Sequence, residues 1–158
     1  MATRAEKDAC DLLDADHRAV KKMFKDYEEL TNSRARSAAQ KKMELAREIC
    51  HALTVHAQIE EEIFYPALRN AIKDTDLLAE AEVEHQSAKD LIAQIEGMGD
   101  ADEKFDAKVT VLGEYIDHHV KEERNEIFPK ARAARKLDLV AMRDELAQRK
   151  EELMGAMA

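Results

Sequence analysis

The chain has 158 residues, 37% of them charged, with a net charge of −9, four glycines and two prolines. That balance offers no concentrated basic surface for a phosphate backbone, and no stretch approaches the roughly 20 apolar residues of a membrane span, so nucleic acid and bilayer are not expected partners. The length suits one domain, residues 1–158, and the abundance of Ala, Leu, Glu, Lys and Arg predicts an all-α fold.

Five helical segments follow from the 3.6-residue period. The first, about Asp8 to Leu30, has the seam Cys10, Leu13, His17, Val20, Phe24 and Tyr27, and stops at Thr31-Asn32-Ser33. The locally basic run Arg34 to Lys42 is diluted by Ala, Ser and Gln and reads as the solvated start of the next helix. That second helix, about Arg36 to Ile72, has the seam Ala46, Ile49, Leu53, His56, Glu60, Ile63 and Ala67, and Asp74-Thr75-Asp76 mark the turn after it.

The third, about Asp76 to Glu96, carries Leu78, Ala81, His85, Ala88, Ile92 and Ile95; Gly97 and Gly99, tolerant of left-handed backbone, end it. The fourth, about Ala101 to Ala134, carries Phe105, Val109, Leu112, Ile116, His119, Glu123 and Ile127. Steps of three and four are the pattern of a bundle core, and short connections make successive helices antiparallel. The expected architecture is an up-down-up-down four-helix bundle over about 8–134 with an additional C-terminal helix. That fifth helix, about 138–153, aligns Leu139, Met142, Leu146 and Leu153, to pack across the bundle or against another subunit; the oligomeric state is left open.

His-x-x-x-Glu occurs twice, at His56–Glu60 and His119–Glu123, and a lone histidine, His17 or His85, precedes each copy. Residues four apart on a helix share a face, so each pair aims a nitrogen and an oxygen ligand the same way. All six residues fall in the seams. Buried there, two carboxylates and four imidazoles are costly unless paired or metal-bound. Six such ligands can hold two transition-metal ions, and imidazole with carboxylate suits iron, manganese or zinc rather than calcium or magnesium.

The chain also repeats itself weakly. Asp16-His17 is matched by Glu84-His85, and Pro66 and Pro129, its only prolines, each lie ten residues after a motif histidine. Proline inside a helix removes a hydrogen bond, so a matched bend is expected just beyond the site in helices two and four, with pseudo-twofold symmetry. His118 lies about 100° around from His119 and reads as a surface residue or a support behind the ligands; His51 faces elsewhere. Glu61, Glu62, Glu122 and Glu126 read as solvated. Tyr115, one turn before His119, lies near the same face and is placed to hydrogen-bond a carboxylate of that set. Asp16 and Glu84 point off the seam, where each can orient an imidazole of a neighbouring helix. Cys10 and Cys50 lack C-x-x-C spacing and read as small buried apolar residues in a reducing compartment; with no apolar signal core over Met1 to Leu13, a cytoplasmic setting is expected.

The ordered set of a lone His and His-x-x-x-Glu, given twice on four helices, with Ile63-Phe64-Tyr65-Pro66 and Glu126-Ile127-Phe128-Pro129 following, resembles the hemerythrin-like HHE cation-binding family over about Asp8 to Ala134. The resemblance implies a non-haem di-iron centre bridged by two carboxylates and usually an oxo or hydroxo species. His17 and His56 would bind one iron, His85 and His119 the other, and Glu60 and Glu123 both. Oxygen-carrying hemerythrins have a further histidine where this chain has Lys89, so simple oxygen carriage is not implied; a centre accessible to peroxide, nitric oxide or water, or one from which iron can exchange, is favoured, and the leading expectation is a site that binds or reduces oxygen, peroxide or nitric oxide. Peroxide-degrading, catalase-like activity would rest on the metals themselves. Sequestration of iron or another divalent cation and metal- or redox-responsive sensing are the alternative functions.

Overall fold

The computed structural model describes residues 7–157, which form helices joined by short turns, with no strand among them. Helix α1 is Ala9–Thr31 and α2 is Ala38–Ile59; a π-helical turn, Glu60–Phe64, joins α2 to α3, Tyr65–Ala71. Helix α4 is Thr75–Glu96 and α5 is Glu103–Glu122; a second π turn, Glu123–Ile127, leads into α6, Phe128–Ala133, and α7 is Leu139–Met157.

Local chemistry sets the boundaries. Asp8 caps α1 by accepting from the Asp11 amide, and the Asp11 side chain answers at the Asp8 amide, a reciprocal capping box. Asp74 and Asp102 cap α4 and α5 by the side-chain bond alone, accepting from the Leu77 and Phe105 amides. Gly97 does end α4, but with φ −82°; no glycine among the described residues has positive φ. The expected left-handed cap is therefore corrected to a right-handed one.

The four long rods close into a ring in which α1 and α4 each pack against both α2 and α5. Helix α7 lies against α1, α2 and the first π turn. It thus packs on its own bundle, through Leu139, Met142, Leu146 and Leu153, all buried. This settles the choice the sequence left open for that stripe.

The core is in two parts. One apolar cluster includes Leu13, Phe64, Leu68, Leu78, Ile127 and the α7 stripe. The other includes Val20, Tyr27, Ile49, Ile92, Phe105 and Leu112. Among the described residues, the buried polar and charged ones are His17, His56, Glu60, His85, His119 and Glu123; His17 lies between Leu13 and Val20, and His85 between Ala81 and Ala88, one residue of each pair from either cluster.

The matched irregularity takes the form of the π turns and begins at the glutamates themselves, six residues before each proline. The Tyr65 amide bonds the Glu60 carbonyl and the Phe128 amide the Glu123 carbonyl, both five residues back. Each π turn inserts one extra residue. The inward face beyond Glu60 therefore shifts by one, from the expected Ile63 and Ala67, which are only half-buried, to Phe64, Tyr65 and Leu68.

Leu146 of α7 is fully buried. Leu146→Ala is expected to cost about 2–5 kcal/mol, the range for a buried leucine that leaves a cavity. Urea unfolding reads this directly. A loss below about 1 kcal/mol would mean that α7 does not pack on the bundle in solution.

Candidate metal centre

The four rods bring all six sequence-identified residues into one buried layer, with Glu60 and Glu123 at 0% exposure. His17 and His56 meet Nε2 to Nε2 at 3.0 Å, and His85 and His119 meet likewise at 3.2 Å. Glu60 Oε1 lies 3.3 Å from His56 Nε2 and 3.2 Å from His85 Nε2. Glu123 Oε1 lies 3.0 Å from His17 Nε2 and 3.3 Å from His119 Nε2. Each carboxylate therefore reaches an imidazole of both hairpins. Two fully buried donor clusters result, His17, His56, Glu60 and Glu123, and Glu60, His85 and His119; a third, Glu84, His119 and Glu122, is only partly buried.

Despite these approaches, both oxygens of Glu60 and Oε1 of Glu123 make no hydrogen bond. Buried carboxylate oxygens without donors are expensive. Two atoms bound side by side to one ion at about 2.0–2.1 Å sit roughly 3 Å apart, which is the spacing found between the imidazole nitrogens and the carboxylates here. The orphaned oxygens and the crowded nitrogens both fit a donor set built around cations.

The outward-facing nitrogens are held by acids. His56 Nδ1 lies 3.0 Å from Asp16 Oδ2 and His119 Nδ1 lies 3.2 Å from Glu84 Oε1, each acid coming from a different helix than its imidazole. His17 Nδ1 has Asp14 at 3.8 Å, and His85 Nδ1 has Glu61 at 3.7 Å. An acceptor on Nδ1 fixes the tautomer that leaves Nε2 free to ligate. The orienting role expected of Asp16 and Glu84 thus has its geometry. Glu61, expected to be solvated, instead lies between His85 and Lys89, whose ammonium sits 2.6 Å from it.

Tyr115 is 46% exposed and hydrogen-bonds nothing in the ligand layer. The tyrosine that does so is Tyr65. Its hydroxyl donates to Glu123 Oε2 at 3.2 Å and lies 3.3–3.4 Å from Nε2 of His119 and His85. On a regular α-helix Tyr65 would sit 140° around from Glu60; the inserted residue brings it back over the site. His118 is exposed, with Glu84 at 3.1 Å, and His51 stands outside both donor clusters.

Burial disfavours charge on the imidazoles, yet the carboxylates outweigh it. Glu60, Asp16 and Glu123 raise His56 to about 10, and the carboxylates around His85 and His119 raise those too. Burial works against the Glu60 carboxylate as well, but His56, Glu123 and His119 hold it well below its usual range. Burial, with Glu123 and Glu60 beside it, pushes the Tyr65 phenol well up, so it stays a donor at neutral pH. The layer is a strongly negative pocket that holds protons when no metal competes.

A cavity of about 40 Å³ opens onto the layer, walled by Val20, Leu53, Ala88, Ile92 and Ile116, with Lys89 and Tyr115 also lining it. That is room for a few water-sized atoms.

With this geometry established, relatives can be placed beside it. The sequence matches the Hemerythrin HHE cation binding domain over residues 8–131, and the chain belongs to that family. A crystal structure of a hemerythrin HHE cation binding domain-containing protein from Mycobacterium kansasii superposes with a TM-score of 0.77 at 22% identity, covering 95% of this chain and 89% of that one. A protein of Nostoc sp. (strain PCC 7120 / SAG 25.82 / UTEX 2576) named DNA nickase is 28% identical over 118 residues, 75% of this chain; the match spans only 32% of that protein's length.

The metal-free layer carries its own pH dependence. His56 is raised in the fold, so its stabilisation is complete below the unfolded value of about 6.5 and is lost as pH rises through about 10. In chelator, the melting temperature is expected to fall between pH 6.5 and 10. With a divalent transition metal bound, ligand protons are displaced and the fall should shrink. Melts in matched buffers decide it; a chelated protein that gains stability over that range would contradict this electrostatic picture.

Proposed function

We propose that the chain holds two iron ions in this layer and binds or reduces a small oxidant, with oxygen, peroxide and nitric oxide as the candidates. His17 and His56 would hold one ion, His85 and His119 the other, and Glu60 and Glu123 both. The observation that carries this reading is the pair of donor clusters sharing Glu60 around orphaned carboxylate oxygens. Manganese or zinc would accept the same donors, and the choice of iron follows the family resemblance.

When bound, iron in this layer supplies electrons through its ferrous and ferric states. The chain's own residues do the rest. Asp16 and Glu84 hold Nδ1 of His56 and His119 so that both Nε2 atoms point inward. Tyr65 offers its proton to Glu123 and stands ready to hydrogen-bond a ligand beside it. The cavity beside the layer has room for only a few water-sized atoms, which suits a small ligand. Lys89 occupies the position of the oxygen carriers' extra histidine, but its ammonium is engaged by Glu61, so it does not fill a coordination position.

Buried, unpaired Cys10 and Cys50, with thiols pushed up to about 12 by burial, support a reducing cytoplasmic setting and no thiol chemistry. Nicking activity is not carried over from the Nostoc protein, since the match covers a third of it and this chain's charge of −9 opposes a phosphate backbone.

Anaerobic reconstitution with ferrous salt should give two irons per chain, and aeration should develop near-ultraviolet absorption. Peroxide consumption above that of free iron supports the oxidant reading. Full loading with no such excess selects sequestration, and less than one iron per chain ends both. His56→Ala or His119→Ala should lose most of the iron, whereas His51→Ala keeps it. Tyr65→Phe should keep the iron but change the spectrum on aeration; an unchanged spectrum would remove Tyr65 from the ligand-facing role.

A further inference from the structure

The acids behind the imidazoles are themselves held by basic side chains. Glu61 has Lys89, Glu84 has His118, and Asp14 has Arg124 and Arg18, all from the bundle rods and their π turns. Asp16 differs: its Oδ1 accepts from Lys150 of α7, while its Oδ2 faces His56 Nδ1 at 3.0 Å. Among the described residues this is the one such side chain that comes from outside the bundle.

The sequence of α7 makes this placement specific. Its inward stripe runs Leu139, Met142, Leu146 and Leu153. The stripe's period calls for another inward residue near 149 or 150, and there the chain has Arg149 and Lys150. Lys150 lies one turn from Leu146 on the same face, its stem half-buried and its ammonium directed to Asp16. Arg149 takes the neighbouring direction and pairs with Glu62, a glutamate outside both donor clusters, at 2.9 Å.

We infer that Lys150 is a positioning residue for the metal layer, tuning one of the two ions through Asp16 and His56 and thereby coupling α7 docking to metal occupancy. This rests on the two-ion reading above. With Lys150 present, Asp16 is anchored on one oxygen and accepts from His56 with the other, so His56 keeps the rotamer and tautomer that ligate. Without it, Asp16 is free to turn toward water. Coupling is reciprocal: metal that orders His56 and Asp16 also favours the seated α7.

Anaerobic ferrous titration against a competing chelator tests this. Lys150→Met should weaken one ion about 10-fold, at the low end of what outer-layer partners contribute, and leave the other unchanged. The weakened ion should be the one lost in His17→Ala. Lys150→Arg should restore it, and Arg149→Ala should leave both. Amide exchange across α7 should slow when the unaltered chain binds metal, and slow less in Lys150→Met. Equal weakening of both ions, together with a lower melting temperature of the metal-free variant, would make Lys150 a docking contact only and overturn the inference. A two-ion parent whose Lys150→Met form titrates identically would overturn it alone. An unaltered chain holding fewer than two ions would overturn the metal-pair reading as well.

Discussion

Everything in this molecule is arranged around the cost of placing two carboxylates and four imidazoles in the middle of an apolar bundle. An isolated charge in such a place is prohibitive, and even a paired one costs several kcal/mol of desolvation. The rods answer by bringing opposite charges within about 3 Å and by leaving carboxylate oxygens open on the inside. Protons can satisfy that layer, because the carboxylates favour charge on His56, His85 and His119. A divalent cation satisfies it better, because one ion meets several donors at once. The two apolar clusters on either side fix the spacing of the rods, and so fix the size of what can sit between them.

Alignment is the second demand. An imidazole that ligates through Nε2 has to present a bare nitrogen, and the choice of tautomer is made on its far side. Each of the four histidines has an acid near Nδ1, two at hydrogen-bond distance and two just beyond it. The shorter contacts join neighbouring rods, Asp16 of α1 to His56 of α2 and Glu84 of α4 to His119 of α5. The same bonds that orient the ligands therefore tie each hairpin together, so the fold and the donor set stabilise one another.

Much of this was legible in the sequence, for a physical reason. Ligand positions must obey the helical period as apolar residues do, so His17, His56, Glu60, His85, His119 and Glu123 stood out as polar residues in apolar seams. Asp16 and Glu84 were readable as orienting groups from their matched places beside the lone histidines. Tyr65 was not. Its register depends on an extra residue in the turn after Glu60, and a period of 3.6 carried through that turn points it away. The signal was present in the prolines, Pro66 and Pro129, each six residues after a ligand glutamate. Proline disturbs the helix before it, and here the disturbance is a π turn rather than a simple bend. Tyr115 drew the tyrosine assignment because its α-helical spacing to His119 was regular, yet that face lies at the cavity wall.

The pseudo-twofold relation also shows where the two halves part. Tyr65 and Phe128 open equivalent helices and lie against equivalent histidines, Tyr65 against His85 at 5.3 Å between ring centres and Phe128 against His17 at 6.2 Å. The hydroxyl is the difference, and it puts a proton donor on the His85–His119 side alone. Behind the rings the asymmetry continues. Glu61, next to Glu60, faces His85 and is held by Lys89, whereas the residue next to Glu123 is Arg124, which pairs with Asp14. One half thus presents a donor and a lysine-held acid to its histidines; the other is bounded by a bare aromatic ring and tethered to α7 through Asp16. Two ions in nearly matched donor sets would consequently not be equivalent. On the proposed two-ion reading, the half with the Tyr65 hydroxyl would be the one equipped to hydrogen-bond a bound ligand, and the half linked to the C-terminal helix the one whose occupancy would reach α7.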